Sequence, residues 1–271
     1  MFGDLGVPVV TVYIGLAVVL GLIFGSAINA IVWRVYVGRS WVRGRSQCPD
    51  CGHVLGVRDL VPVFSWLALG GKCRYCGAPI KDHPVVEVVT GVAFGLSALA
   101  LMPSSTAGMA RLLFWTAILV ILLALAVFDQ RWLILPDKLM LPLVIVVAGY
   151  TATAALLAGS LRVLVGPVLA ALLAGGAFFA LVYFSKGRAM GGGDIKLAFA
   201  LGLLLGLKGT VVALLIAFNA AAVVGVALII ARRRKRHDHI PFGPFLVAGA
   251  IIAFTFGQQI VSEYMRLVGA V

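Results

Sequence analysis

The chain has 271 residues, of which 62% are hydrophobic and only 12% are charged. Its mean hydropathy is +1.10, and its formal net charge is +12. A soluble domain carries about a quarter charged residues, so this composition excludes a soluble enzyme and a disordered chain and indicates an all-α polytopic membrane protein.

A hydrocarbon core of ~30 Å needs ~20 apolar residues in a helix. Taken in chain order, the uncharged stretches run Leu5 to Trp33, Val88 to Ala110, Leu112 to Phe128, Leu139 to Leu161, Val163 to Ser185, Gly209 to Ala231 and Ile240 to Ser262. An eighth, Leu197 to Leu207, is long enough only if its helix begins in the Gly-rich segment near Ala189. About eight transmembrane helices are therefore expected, the sixth irregular at its start. The first has no basic segment before it and no small-residue cleavage site, so it reads as a retained helix rather than a signal peptide. The domain reading is a first helix over 1–33, an extramembrane loop domain over 34–85 and a membrane core of about seven helices over 86–271.

Basic residues test this arrangement. With the N-terminus outside, the inner segments collect Arg34, Arg39, Arg43, Arg45, Arg58, Lys72, Arg74 and Lys81, then Arg131 and Lys138, then Lys186, Arg188 and Lys196, then the run Arg232 to Arg236. Only Arg111, Arg162, Lys208 and Arg266 of the 22 basic residues fall outside. This asymmetry follows the positive-inside rule and places the loop domain in the cytoplasm. The basic residues read as topology signals and contacts to anionic membrane lipids, not as a nucleic-acid site. Glycine pairs at Gly21/Gly25, Gly91/Gly95 and Gly202/Gly206 suit close helix packing.

All four cysteines lie in the loop domain. Cys48-Pro-Asp-Cys51 and Cys73-Arg-Tyr-Cys76 are each followed by glycine, Gly52 and Gly77. Two such knuckles supply four thiolates to one ion, at close to zinc-ribbon spacing. Disulfides do not persist in a cytoplasmic loop, and a redox dithiol needs no matching second pair. Four thiolates leave no open position for water, so the expected zinc is structural. His53 and His83 flank the cysteines as ordinary loop residues.

Two of the ten acids stand at membrane edges. Asp129 directly follows the apolar run to Phe128. Asp194 lies in Gly191-Gly192-Gly193-Asp194-Ile195-Lys196. An ionisable group at membrane depth is costly and marks a functional site, and non-helical backbone there must line a protein or water cavity. The charge count puts both on the cytoplasmic side. Two carboxylates in one site cannot easily both ionise, so one retains a proton. That pairing suits peptide hydrolysis, in which one carboxylate activates water and the other protonates the carbonyl. By position alone, both also read as helix caps or interfacial charges. Asp137, after Leu135-Pro136, reads as a first-turn acid of the next helix. No Ser-His-Asp constellation is present.

Six landmarks in order resemble the bacterial prepilin peptidases, the membrane aspartic proteases of type IV pilus and type II secretion systems. They are Phe24-Gly25-Ser26-Ala27-Ile28-Asn29 before Arg34, the cysteine module with Pro62-Val63-Phe64-Ser65-Trp66 inside it, His83-Pro84-Val85-Val86-Glu87, Asp129 with Leu135-Pro136-Asp137 and Leu141-Pro142, Gly191 to Lys196 as G-x-G-D-x-K, and Ile240-Pro241-Phe242-Gly243-Pro244-Phe245. The chain departs from the family at Gly192, where Tyr is frequent, and at Ala27, where a bulkier residue is.

The resemblance implies a bacterial inner-membrane enzyme that cuts the leader from prepilins and pseudopilins on the cytoplasmic side. Asp129 and Asp194 would be its catalytic dyad, and Gly191, Gly192, Gly193 and Lys196 its active-site loop. It also implies N-methylation of the new N-terminus from S-adenosylmethionine; Glu87 and Gly91 are candidates for that activity by position alone. The rival readings are a zinc-loop assembly adaptor and an ion-coupled transporter; the second would predict related halves, which the sequence does not display. Nothing in the residues fixes an oligomeric state.

Overall fold

The computed structural model describes residues 7–40, 44–80, 84–103, 105–188, 190–233 and 240–269. Arg43, Lys81, His83, Ala189 and Arg234 to Arg236, all part of the sequence reading, lie outside the described residues. The described residues are mostly helical and contain no strand, only two isolated antiparallel bridges. Eight α-helices follow in order: α1 (Val7–Tyr36), α2 (Phe64–Ala68), α3 (Val85–Ala100), α4 (Thr106–Trp132), α5 (Asp137–Ala158), α6 (Val165–Phe184), α7 (Gly192–Ile230) and α8 (Gly243–Leu267). Two compact units divide the chain, Met1–Met102 and Pro103–Val271.

Among the described residues six helices are long and apolar enough to cross a membrane, where about eight were expected. The difference has two physical causes. The expected second span, Val88 to Ala110, is cut short: α3 stops at Ala100, and Ser105 caps a new helix by accepting the Gly108 N–H on its hydroxyl at 3.1 Å. Arg111 therefore stands in the second turn of α4, not in a loop. Its guanidinium donates to the Phe254 carbonyl at 3.3 Å and lies 5.0 Å from the centre of the Phe254 ring. That ring stacks on Trp115 with centroids 3.9 Å apart. The expected sixth and seventh spans form one element, α7, of 39 residues. It is broken at Gly206, whose backbone (φ 65°, ψ −179°) is open only to glycine.

In the first unit α1 and α3 pack through their glycines. A Cβ on Gly25 would lie 2.5 Å from the Glu87 Cα, and one on Gly21 would lie 2.7 Å from the Thr90 carbonyl and 2.8 Å from the Gly91 Cα. Gly91 and Gly95 answer from α3, against Leu22 and Val18. Lipid tails are as apolar as leucine, so close backbone packing of this kind drives helix association in a membrane.

The second unit uses the same device. Gly202 of α7 lies against Ala170 and Ala171 of α6, and Gly249 of α8 against Ala213 of α7. Of the pair Gly202/Gly206, the first is a packing residue and the second the helix break. A Cβ at Gly202 would stand 2.6 Å from the Ala170 carbonyl and the Ala171 Cα, which are backbone atoms with nowhere to go. Gly202→Leu should therefore destabilise the second unit by about 2–3 kcal/mol, measurable as a lower melting temperature in detergent.

Candidate active site and metal centre

The metal centre belongs to the first unit and is built from two copies of one turn. In each, the first cysteine N–H donates to the carbonyl five residues on: Cys48 to His53 at 2.9 Å, Cys73 to Ala78 at 2.8 Å. In each, the glycine after the second cysteine donates to the first cysteine's carbonyl at 2.9 Å. Gly52 and Gly77 close these turns at φ 69° and 73°, left-handed values that a side chain would disfavour. One bridge seals each knuckle, Gln47 with Val54 and Lys72 with Pro79.

The four sulfurs of Cys48, Cys51, Cys73 and Cys76 lie within 4.8 Å of one another, with Cys48 and Cys76 3.9 Å apart. Tetrahedral thiolates around zinc stand about 3.8 Å apart, from Zn–S bonds of about 2.3 Å. The sulfurs are thus positioned for a metal ion. The Cys76 and Tyr75 N–H groups bring the Cys73 thiol down to about 7, which favours the thiolate that a metal requires. Four sulfurs this close cannot all ionise unless a cation lies among them.

The second knuckle is tied to the turn Val57–Asp59. Asp59 accepts from Arg74 Nε at 2.7 Å, from the Gly56 N–H at 3.0 Å and from the Tyr75 hydroxyl at 3.2 Å. The Arg74 hydrogen bond holds the Asp59 carboxyl below the usual carboxylate range. Tyr75 stacks on His53 of the first knuckle, so His53 links the two halves and is not among the grouped metal donors.

The carboxylate site belongs to the second unit and is made where helix ends meet. Asp129 is in the last turn of α4, one residue past Phe128; α4 ends when Leu133 turns left-handed (φ 56°) and donates to the Asp129 carbonyl. A carboxylate at a helix C-terminus opposes the dipole, so Asp129 is not a stabilising cap of its own helix. Its Oδ2 instead accepts the N–H of Gly243, the first residue of α8, at 2.8 Å. Asp194, in the first turn of α7, accepts the Gly191 N–H on Oδ2 at 3.2 Å. This is the capping geometry the sequence allowed. Both carboxylates are buried, at 6% and 8% exposure. Gly193, beside Asp194, packs on Leu135 of the loop that follows Asp129, which brings the two carboxylates to one end of the unit.

The other residues of the expected active-site loop take distinct places. Gly191 is the N-cap of α7. A Cβ on Gly192 would meet nothing within 4 Å. A Cβ on Gly193 would lie 2.8 Å from the Leu135 Cβ, in the loop that leads out of α4. Lys196 pairs with Asp137 at 2.5 Å, joining α7 to the start of α5 across the same loop.

Gly243 was quoted in the sequence only as part of a loop motif, yet it supplies the donor to Asp129. A Cβ there would fall 2.7 Å from Asp129 Oδ2. The signal available was a glycine preceding Pro244 at the start of a helix. Glu87 and Gly91, candidates for methyl transfer by position alone, belong to the first unit. Glu87 Oε2 accepts the Val63 N–H at 2.6 Å, and Gly91 packs on α1.

Comparisons with known proteins agree with both halves of the chain. Residues 19–101 match the Bacterial Peptidase A24 N-terminal domain, and residues 116–226 match the Type IV leader peptidase family. A prepilin leader peptidase/N-methyltransferase of Burkholderia pseudomallei (strain K96243) is 35% identical over 268 residues, covering 89% of this chain and 84% of its own. Proteins of the same name are 32% identical in Pseudomonas aeruginosa, over 93% of both chains, and 30% identical in Bacillus subtilis (strain 168), over 92% of this chain and 96% of the relative. No solved structure matches. Two matched domains in register with the metal centre and the carboxylate site, and relatives aligned over most of their length, place this chain in the type IV leader peptidase family.

Proposed function

We propose that this multi-pass membrane protein removes the leader peptide from type IV prepilins and pseudopilins and N-methylates the new N-terminus. One observation carries the peptidase reading. Two buried carboxylates, 65 residues apart in sequence, are held at one end of the second unit by backbone N–H groups at the starts of α7 and α8.

In the mechanism one carboxylate of the Asp129–Asp194 pair takes a proton from water. The hydroxide so formed attacks the scissile carbonyl carbon, while the protonated partner gives its proton to the carbonyl oxygen. Collapse of the tetrahedral intermediate breaks the C–N bond, and a proton passes to the leaving amine. The Gly243 and Gly191 N–H groups fix one oxygen of each carboxylate and leave the other for water or substrate. Gly192, open on its surface, leaves room for substrate backbone beside the dyad, and the Lys196–Asp137 pair holds the α4–α5 loop against α7.

Cys48, Cys51, Cys73 and Cys76 hold a structural zinc, whose role is to fold the loop domain. Cys48→Ser should lower zinc affinity by more than the about 10–100-fold that changes around a metal's ligands cost. Metal analysis of the purified protein and proteolysis of the loop check this, and full zinc content in the variant would remove Cys48 from the ligand set. S-adenosylmethionine supplies the methyl group for the second activity. Glu87 and Gly91 are candidates for it by position alone, and their packing and hydrogen bonding account for both residues without a methyl donor, so no step is drawn through them.

The placement is the inner membrane of a bacterium, N-terminus outside, with the zinc loop and dyad toward the cytoplasm and anionic lipids against the basic face. The family match speaks against the adaptor and transporter readings.

The test is a cleavage assay of a purified prepilin in liposomes, read by mass spectrometry. The expected products are the free leader and a mature chain heavier by one methyl group. Intact substrate across several prepilins, with folded enzyme, would overturn the reading.

A further inference from the structure

Between the two cysteine knuckles lies a strained turn fastened to the apolar helix α3. The Phe64 N–H donates to the Pro62 carbonyl at 2.6 Å, and Val63 between them has φ 62° and ψ −52°. This γ-turn is rare, and a β-branched residue resists positive φ. The turn is held by Glu87, which accepts the Val63 N–H at 2.6 Å from the first turn of α3. The segment that follows, α2, is thereby pinned to the end of α3 with no slack.

The side chains presented there are apolar and bare. Val57 is 85% exposed, Phe64 70% and Leu67 60%. Phe64 and Leu67 are three residues apart on α2 and so share a face. Val85, Val88 and Val89, on the first turns of α3, are exposed as well. A loop domain in water does not leave large apolar side chains in this condition without a partner. Arg58 and Lys72 are exposed in the same loop, and the described residues from Arg34 to Ile80 carry six basic groups against Asp50 and Asp59. An apolar tip in a cation-rich loop, hydrogen-bonded through Val63 to the first turn of α3, fits the interface of an anionic bilayer.

We infer that α2 is an interfacial anchor: Val57, Phe64 and Leu67 insert at the boundary between headgroups and acyl chains, with Arg58 and Lys72 among anionic headgroups. The Glu87–Val63 hydrogen bond sets its height relative to α3. The anchor keeps the loop domain against the bilayer surface, where a substrate whose own helix lies in the membrane must present its cleavage site. The inference rests on α1 as a membrane span with the apolar α3 packed against it, and not on the peptidase reading.

A photoactivatable benzophenone amino acid at position 64 of the full chain tests it, in vesicles of phosphatidylglycerol and phosphatidylethanolamine, with the same probe at exposed position 50 as comparison. Mass spectrometry should find lipid adducts at position 64 about tenfold above those at position 50. Equal lipid labelling at the two positions, or capture of added prepilin in place of lipid at position 64, would overturn the anchor. A second variant, Phe64→Asp with Leu67→Asp, should retain bound zinc while proteolysis of the 57–68 segment in the same vesicles speeds up several-fold. An unchanged proteolysis rate would count against insertion. Neither readout depends on catalysis.

Discussion

Asp129→Asn and Asp194→Asn should each lower prepilin cleavage by about 10²–10⁴-fold, the range over which a positioned acid or base acts. Asparagine keeps the size of aspartate, and its carbonyl oxygen can still accept the Gly243 or Gly191 N–H. It cannot take a proton from water or deliver one to a carbonyl. Melting temperature should therefore change little while activity disappears. This separates catalysis from the capping role that Asp194 also fills. If a pure cap were all that Asp194 supplied, Asn would preserve it and cleavage would survive. The double variant should lose no more than either single one, because the two groups act as a unit. Single-turnover cleavage by each purified variant, alongside its thermal melt, decides the matter; normal cleavage by one variant would remove that residue from the dyad.

Gly243→Ala should reduce kcat by about 100-fold with little change in KM, the effect expected when a catalytic group is displaced by a fraction of its contact distance. The added methyl would lie 2.7 Å from Asp129 Oδ2 and 3.1 Å from its Cγ, so the carboxylate must move. The N–H donor survives the change, and alanine suits a helix better than glycine. Only the placement of Asp129 is at stake. Gly176→Ala on α6, where a Cβ meets nothing within 4 Å, provides a neutral comparison. Steady-state kinetics of the two variants give the answer, and wild-type kcat in Gly243→Ala would show that Asp129 tolerates a shifted partner.

What could be read from the sequence follows the range of the forces involved. The metal centre was legible because each knuckle closes within six residues, through hydrogen bonds from Cys48 to His53 and from Cys73 to Ala78. Asp129 and Asp194 stood out because charge beside long apolar runs is costly wherever the chain folds. Gly243 carried no such mark. Its contribution is a backbone N–H delivered across 114 positions, and any residue type except proline supplies an N–H. What requires glycine is the nearness of Asp129, which only the packed helices reveal. Helix ends were misplaced for a related reason. Hydrophobicity locates spans, but the Ser105 cap decides where α4 starts, and it brings Arg111 inside. The break at Gly206 was hidden because Gly202, one turn earlier, serves packing, and a pattern of small residues does not tell the two uses apart.

The break at Gly206 bears on the lipid as well as on the chain. The fourteen residues from Gly192 to Leu205 precede it; at 1.5 Å each they rise only ~21 Å, against a hydrocarbon thickness of ~30 Å. Lys208, two positions beyond the break, is exposed and reaches toward water along its stem. The half-helix that begins at Gly192 is therefore shorter than the hydrocarbon of an average bilayer, the condition under which lipid beside a helix thins. Prepilin cleavage should then vary with the acyl-chain length of the surrounding lipids, because Asp194 stands in the first turn of this short half-helix.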